Sequence, residues 1–540
     1  MRVEEKNLRG SNLLADHYLY QYHKLQHFFS FHPFLHSSTE ARLQWLKERP
    51  ISHRKALVEG LLRYNKQMGN HSQAIHNIEA LLDEETYVVV GGQQAGILTG
   101  PLYVIHKAIT LIQLAEQLQE QTGKKIVPIF WIASEDHDWD EVDHTYIYHW
   151  ERELKQVKLP RPQQRNVSIS EIEIDSAVFI QFIDELFAGL PDSIYQQDLR
   201  CKLTELAAAS TKLSDFFARV IGWLFGKFGL ILLDSADGFV RELEKPVFSK
   251  LITDNMNPSL LETKHQLISS GYHSQLEIQE NSAHFFLHID GERRLIVRED
   301  EHSLRVKDGQ LTFSVEELLT MLEQEPTKFS SNVVSRPVMQ ETILPVLAFV
   351  GGPGEIAYWA QLKSIFTSFG LQMPIVTPRM GFTLIDRSIE KYMAGFQLSY
   401  SDVAGRWNEA RQAWLNEQVN LDLPLEFNQL SEDVRRVIEV FLQRMMAVAP
   451  GIKNVGDSAL EKMMSSIRFM EKRAVAAIEQ REQASLKQWE ETRLALMPLD
   501  KPQERVYNVF GYLNRYGPEW LTELIRHPYT IDGSHKLIYI

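Results

Sequence analysis

The sequence predicts a doubly wound α/β protein with a parallel sheet, two insertions into that sheet, and a long helical coiled coil after it. Three observations carry this. Short apolar runs recur, "TYVVVGGQQ", "KIVPIFWIASEDHD", "GLILLDSADG", "LPVLAFVGGPGE" and "MPIVTPRMG", each followed by a glycine- or acid-bearing turn and a helical stretch. Continuous apolar strands alternating with helices belong to a parallel sheet covered on both faces. The gaps between the runs are uneven, and "SALEKMMSSIRFMEKRAVAAIEQREQASLKQWEETRLALM" runs about forty residues without glycine or proline.

In chain order, residues 1–142 hold N-terminal helices and the first half of the core. Apolar spacing of three and four in "KALVEGLLRYNKQM" and "AIHNIEALL" makes the first 85 residues mostly helical. The first two strands are separated by about 40 residues, room for one crossover helix. Residues 143–225 form a first connecting insertion, with short strands around "YIYHWERELKQVKLP" and then helices. A core strand follows in 226–254. The second insertion, 255–340, contains "HFFLHIDGERRLIVRED", two alternating runs joined at Asp290-Gly291, a hairpin signal. The second half of the core occupies 341–382.

Residues 383–497 are helical, broken near "NLDLPLEF" and "VAPGIKNVGD". Leu460, Met463, Ile467, Met470, Ala474 and Ala477 alternate at three and four and define one seam. A helix of that length runs roughly 60 Å at 1.5 Å per residue. A projecting antiparallel coiled coil, an arm that often serves dimerisation, is the expectation, and a long helix packed on its own domain is the alternative. Residues 498–540 are expected to be a C-terminal helical segment.

Composition narrows the function classes. The chain has 540 residues, is 44% apolar and 24% charged, and carries a formal charge of −14. That balance argues against a nucleic-acid backbone or an anionic membrane as main partner. The N-terminus lacks a signal-type apolar core, so a cytoplasmic protein is expected. Cys201 is the only cysteine, which excludes an intramolecular disulfide and a thiolate cluster. It lies in "DLRCKLTELAAA" and reads as a structural residue of an amphipathic helix.

Ligands of doubly wound sheets bind at the carboxyl ends of the strands, and there the chemistry-bearing residues gather. Gly91, Gly92, Gln93 and Gln94 end the first strand: the glycines permit a sharp turn and close ligand approach, and the amides donate and accept. The helix start near Pro101 offers free N–H groups to an anion. Gly92→Val is expected to abolish activity without unfolding the protein. After the second strand, Ser134, Glu135, Asp136, His137, Asp138, Asp140, Glu141, Asp143 and His144 crowd into eleven residues. His137 with a neighbouring carboxylate could move a proton. A divalent metal on the His137/Asp138/Asp140 cluster, as in a hydrolase or amidase, is the second reading, and solvated helix-capping acids the third. "FVGGPGEIAYWAQL" repeats the glycine logic with Gly351, Gly352 and Gly354, adding Glu355 for a substrate ammonium and Tyr358 one turn on. Asp234 and Arg379 stand at two further strand ends, Arg379 as a carboxylate or phosphate partner.

Together, "VVVGGQQAGILTGPLY" with "IHKA", "PIFWIASEDHDWDEV", "FVGGPGEIAYWAQL" and "KPQERVYNV" resemble the cysteine-adding enzymes of bacillithiol biosynthesis, across essentially the whole chain. The resemblance implies a Rossmann-like core, two connecting insertions, a dimerising coiled coil, and a ligase joining L-cysteine to glucosaminyl-malate. It also implies that the crevice at Gly91–Gln94, Glu135–Asp140 and Gly351–Glu355 holds these substrates. ATP or another activating nucleotide with Mg would bind near the "PQER" region, with Gln503, Arg505 and Asn508 as candidates, and no tightly bound metal is expected. The H-I-G-H and K-M-S-K-S signatures of class I synthetases are not present, so no ATP pocket is carried over on that ground. A dimeric scaffold using the helix pair is the reading from a different class.

Overall fold

The computed structural model describes residues 1–10, 12–149, 151–161, 167–173, 175–419 and 422–540. They fold into two compact units: Val3–Thr383 with Glu504–Leu537, and Leu384–Gln503 with the two chain ends.

In the larger unit, the five apolar runs form five parallel strands. They are β1 (Tyr87–Gln93), β2 (Ile126–Ile132), β3 (Ile231–Asp234), β4 (Val346–Gly351) and β5 (Ile375–Pro378). Three helices bear on the site: α1 (Leu102–Thr122), α2 (Gly238–Thr253) and α3 (Pro353–Trp359). The spatial strand order is β5-β4-β1-β2-β3. Successive side chains point to opposite faces. Trp131 and Leu233 therefore join the core formed with Leu57, Leu61 and Ile78 of the N-terminal helices. Phe130 instead meets Phe217 of the Leu213–Phe225 helix at 5.9 Å. Covering both faces is why every residue of β2, β3, β4 and β5 is buried. The chain moves outward from β1 through β2 to β3, then returns to the other flank of β1 with β4. The ends of β1 and β4 thus meet at the topological switch point, where such sheets open a crevice.

The first insertion has a hairpin, His144–Tyr148 with Leu154–Lys158, and then the helices Ser176–Gly189, Gln196–Ala208 and Leu213–Phe225. Cys201 is on the exposed side of the second of these helices, whose buried stripe is Leu199, Leu203, Leu206 and Ala207. The second insertion is more than a hairpin: Ser282–Ile289 and Glu292–Arg298 are two strands of a five-stranded antiparallel sheet. Asp290 and Gly291 turn between them with φ of 53° and 76°, the double positive φ that a two-residue hairpin of type I′ requires.

The C-terminal segment is helical at Val509–Tyr516 and Pro518–Arg526. Residues Glu504–Leu537 fold into the larger unit, because Gln113 on α1 donates to the Ile525 and His527 carbonyls at 2.6 Å each.

The smaller unit is helical. Leu423–Met446 packs against Ile452–Arg481, and Gly456 sits so near Leu442 that a Cβ there would be 2.2 Å from its Cδ2. The second helix spans 30 residues, about 45 Å. Gln483–Leu496 follows it, so the forty-residue run divides at Glu482. The seam differs from the expected one. Gly456, Met464 and Ile467 are buried and Leu460, Ala474 and Ile478 half-buried, a spacing that follows 3.6 residues per turn. Met463 and Met470 lie outside it, 40% and 49% exposed. The break near "VAPGIKNVGD" falls between Met446 and Ile452. Of the other break, residues 420 and 421 lie outside the described residues. Among the described residues no helix is long and apolar enough to cross a membrane.

Candidate active site

The ends of β1, β2 and β4, together with the second insertion, line one cavity of about 670 Å³, within the usual range for small-molecule sites. It takes Gly92, Gln93 and Gln94 from the end of β1, Glu135, Asp136, His137 and Glu141 from the segment after β2, and Gly352, Gly354, Glu355 and Tyr358 from the end of β4. Phe286, Arg293, Ser331 and Arg336 come from the insertion and the helix behind it.

The switch point is fastened by a buried ion pair. Lys107 of α1 donates to Glu355 Oε2 at 2.6 Å and to the Gly92 carbonyl at 2.5 Å, so it ties the β1 end to α3. Burial pushes the Lys107 ammonium below its ordinary pKa, and the nearby Glu355 carboxylate works the other way. Glu355 Oε2 also accepts from the Gly352 N–H at 2.9 Å, closing the first turn of α3. The expected ammonium-binding carboxylate therefore already holds a cation of the protein's own on one oxygen.

The loop after β2 is held from several sides. Gln94 donates to Asp136 Oδ2 at 2.7 Å, so its amide binds the protein's own loop. Glu135 is buried. It accepts from Arg241 of α2 and, at 2.6 Å, from the Ser331 hydroxyl. Burial alone would raise its pKa, but Arg241, Arg293 and Ser331 outweigh that and hold it below the usual range. Asp136 is lowered as well: against burial act Gln94, Arg293 and the His137 N–H, which donates to Oδ1 at 2.8 Å. His137 is lowered by burial and by Arg293, whose Nη1 is 3.2 Å from Nδ1. Both effects favour the neutral imidazole.

Arg379 is the expected partner of a substrate anion. Its guanidinium instead makes a two-pronged pair with Glu504, at 2.9 and 2.6 Å. His106 Nδ1 is 2.9 Å from the same carboxylate. Burial would raise Glu504, yet Arg379 and His106 hold it well below the ordinary carboxylate range. The "QER" triplet thus divides its labour. Gln503, in the smaller unit, is buried with its amide donating to the Leu384 and Ala495 carbonyls at 2.8 Å each. Glu504 braces Arg379, and exposed Arg505 reaches the cavity. Arg336 donates to the Tyr358 hydroxyl, whose pKa burial pushes up to about 12.

Several expected site residues lie elsewhere. Gly91 is inside β1, against Val350. Ser134 is buried beneath the loop, donating to Asp234. Asp234 itself is buried, and burial raises its carboxyl to about 6. Asp138 and Asp140 are exposed and do not line the cavity; Asp140 pairs with Arg161 at 3.3 Å. The His137/Asp138/Asp140 metal arrangement does not assemble, since Arg293 faces His137 Nδ1. Asp143 is buried outside the cavity, with His144 2.8 Å away and the exposed Lys158 at 3.0 Å. Asn508 is internal too. It donates to the Leu98 and Gly100 carbonyls at 2.8 Å each and caps the Val509–Tyr516 helix.

The residues that sequence reasoning missed are Lys107, Tyr103, Phe286, Arg293, Ser331 and Arg336. For Lys107 a signal existed: a lysine after a histidine in the apolar run "LYVIHKAITLIQL" must be buried, and a buried lysine needs a partner. Arg293 carried none, because its meeting with His137 spans 156 residues.

Comparison with known proteins agrees with this architecture. Residues 1–380 match the family model "Bacillithiol biosynthesis BshC, N-terminal Rossmann-like domain", and residues 382–540 match "Bacillithiol biosynthesis BshC, C-terminal coiled-coil domain". The "Putative cysteine ligase BshC" of Bacillus cytotoxicus is 36% identical over 541 residues, covering 100% of both chains. That of Bacillus cereus strain AH187 is 34% identical over 541 residues with the same coverage. A Campylobacter jejuni structure described as a "putative arginyl t-RNA synthetase" aligns at 11% identity with a TM-score of 0.23, over 78% of this chain and 93% of that one, too distant to bear on function. With family models matching residues 1–380 and 382–540 and its relatives spanning it end to end, the chain belongs to the BshC family of bacillithiol biosynthesis.

Proposed function

We propose that the protein is a ligase that joins L-cysteine to glucosaminyl-malate through an amide bond, the last step of bacillithiol biosynthesis. The observation that carries this is the pairing of full-length similarity to cysteine ligases with a switch-point cavity that mixes cations and carboxylates. A sugar-malate with a free amine and an amino acid with a free carboxylate both need that mixture. The same family membership favours the ligase over a metal-dependent hydrolase or a scaffold.

A free carboxylate is a poor acyl donor, so ATP or another nucleotide with magnesium is expected to supply the leaving group. Of Gln503, Arg505 and Asn508, the first and last have their amides engaged inside the protein, and Arg505 lines the cavity. That trio is not a nucleotide cradle. The protein's own contribution is orientation and charge. The Lys107–Glu355 pair and the Gln94–Asp136 bond hold three strand ends in register around the substrates. Arg293, His137 and Arg505 place positive or N–H groups where a malate carboxylate or an acyl oxygen would lie. The attacking amine must give up a proton to a basic group of the cavity.

A homodimer through the helix pair is part of this proposal. Val437, Phe441, Val455 and Phe469 stay 54–67% exposed on the two long helices, an apolar surface that a second copy would cover. A cytoplasmic location fits a biosynthetic ligase. The test is mass spectrometry of purified protein with L-cysteine, glucosaminyl-malate, ATP and magnesium. A product heavier by one cysteinyl residue, with AMP or ADP formed in step, is the expected result. Its absence with folded protein would reject the assignment.

A further inference from the structure

We infer that Arg293 locks His137 in the neutral tautomer that carries its proton on Nε2, so that His137 serves the cavity as a hydrogen-bond donor and not as the base. This rests on the ligase reading for its chemistry, but its geometry stands apart from it. A guanidinium can only donate. Arg293 Nη1 is 3.2 Å from His137 Nδ1, so Nδ1 must offer its lone pair. A proton on Nδ1 would set two donors head to head, and the alternative acceptor, Asp136 Oδ1, is 3.6 Å away, beyond hydrogen-bond range. Asp136 is also occupied: it accepts from the His137 N–H and from Gln94. The proton of a neutral ring then lies on Nε2, which has no partner among the described residues, on a side chain that lines the cavity and is 35% exposed.

Arg293 is itself immobilised. Its Nε donates to the Ser330 hydroxyl at 3.0 Å and its Nη2 to the Ser331 carbonyl at 2.5 Å, and its guanidinium lies 3.9 Å over the Phe286 ring. Phe286 in turn lies T-shaped to the imidazole, 6.2 Å between centroids. The charged groups acting on His137 are Arg293, Asp136 and Asp138. An N–H fixed in this way suits the oxygen that gains charge when an amine adds to an acyl group. The amine proton then needs another acceptor. Of Glu135, Asp136 and Glu355, only Glu355 keeps an oxygen, Oε1, without a donor among the described residues.

Two measurements test this. The first needs no substrate: the long-range ¹H–¹⁵N spectrum of ¹⁵N-histidine-labelled protein at pH 7, with the His137 signals identified by their loss in H137Q. An unprotonated Nδ1 and a protonated Nε2 are expected; the reverse pattern overturns the proposal. In R293Q the His137 pKa should rise and the tautomer preference fall, a shift that a merely structural role for Arg293 would not produce. The second is the ligase assay. H137Q keeps an N–H donor but cannot act as a base, so its kcat should stay within about ten-fold of the wild type. H137A should lose about a hundred-fold, the usual cost of one such donor. If H137Q falls as far as H137A, and the acidic limb of the wild-type pH profile disappears with it, His137 is the base and the inference is wrong. If the wild type makes no product, the ligase reading fails, while the spectrum still decides the tautomer.

Discussion

The ends of β1 and β4 look like twins in the sequence and are built differently. At β1, Gly91 and Gly92 belong to the strand itself. A Cβ on Gly92 would stand 2.3 Å from the Trp131 carbonyl oxygen of β2, and one on Gly91 2.8 Å from that of Val350 in β4. These glycines let neighbouring strands close up, and neither has a positive φ. The sharp turn comes later, at Leu98, Thr99 and Gly100, with φ of 49°, 73° and 73°, where Asn508 holds the carbonyls. At β4 the strand passes straight into α3. Gly352 caps the helix, and a Cβ on Gly354 would meet nothing within 4 Å. A glycine pair at a strand end therefore marks close backbone packing as readily as a ligand turn.

The comparison can be broken at its strongest point first. Gly92→Ala should destabilise the protein by about 3 kcal/mol or more, because the obstructing atom is backbone and cannot rotate away. Activity and melting temperature should fall together, which revises the expectation that a larger residue at Gly92 would spare the fold. A calorimetric scan showing an unchanged Tm would remove the packing explanation. Next, Asn508→Ala should cost about 2 kcal/mol, from a lost helix cap and two carbonyls left without a donor beside strained backbone. Urea unfolding measures it; a change below about 0.5 kcal/mol would mean that the positive-φ turn holds itself.

The end of β3 sharpens the contrast through pH. Burial raises Asp234 to about 6, above the ordinary value of about 4 in the unfolded chain. The folded state then binds the proton more tightly, so this contribution is fully present below pH ~4 and is lost as pH rises through ~6. Relative to wild type, Asp234→Asn should flatten the fall in stability between those pH values, an effect on the order of 2 kcal/mol. Parallel pH curves for the two proteins would contradict it. The smallest change belongs to Gly354→Ala, expected within about 0.5 kcal/mol because the site is open and helical. Its Tm should match the wild type, and a loss like that at Gly92 would erase the distinction between the two turns.

Much of this molecule was legible before folding. A strand buried on both faces must be apolar throughout, so the five runs named the sheet. A forty-residue stretch without glycine or proline has little choice but helix, though its seam had to be read from packing around Gly456 and Leu442. The acids after β2 pointed to the right strand end but not to which of them line the cavity: Glu135 and Asp136 do, while Asp138 and Asp140 are exposed outside it. Tertiary structure alone decided the rest. Strand order brought β4 beside β1 and so paired Lys107 with Glu355. The second insertion carried Arg293 to His137, and the returning C-terminal segment gave Glu504 to Arg379. Which carboxylates and amides remain free for substrate depends on these partners, and charges far apart in the chain leave no pattern in local spacing. Composition and periodicity report what a residue must avoid or seek; only the closed fold determines which group it finds.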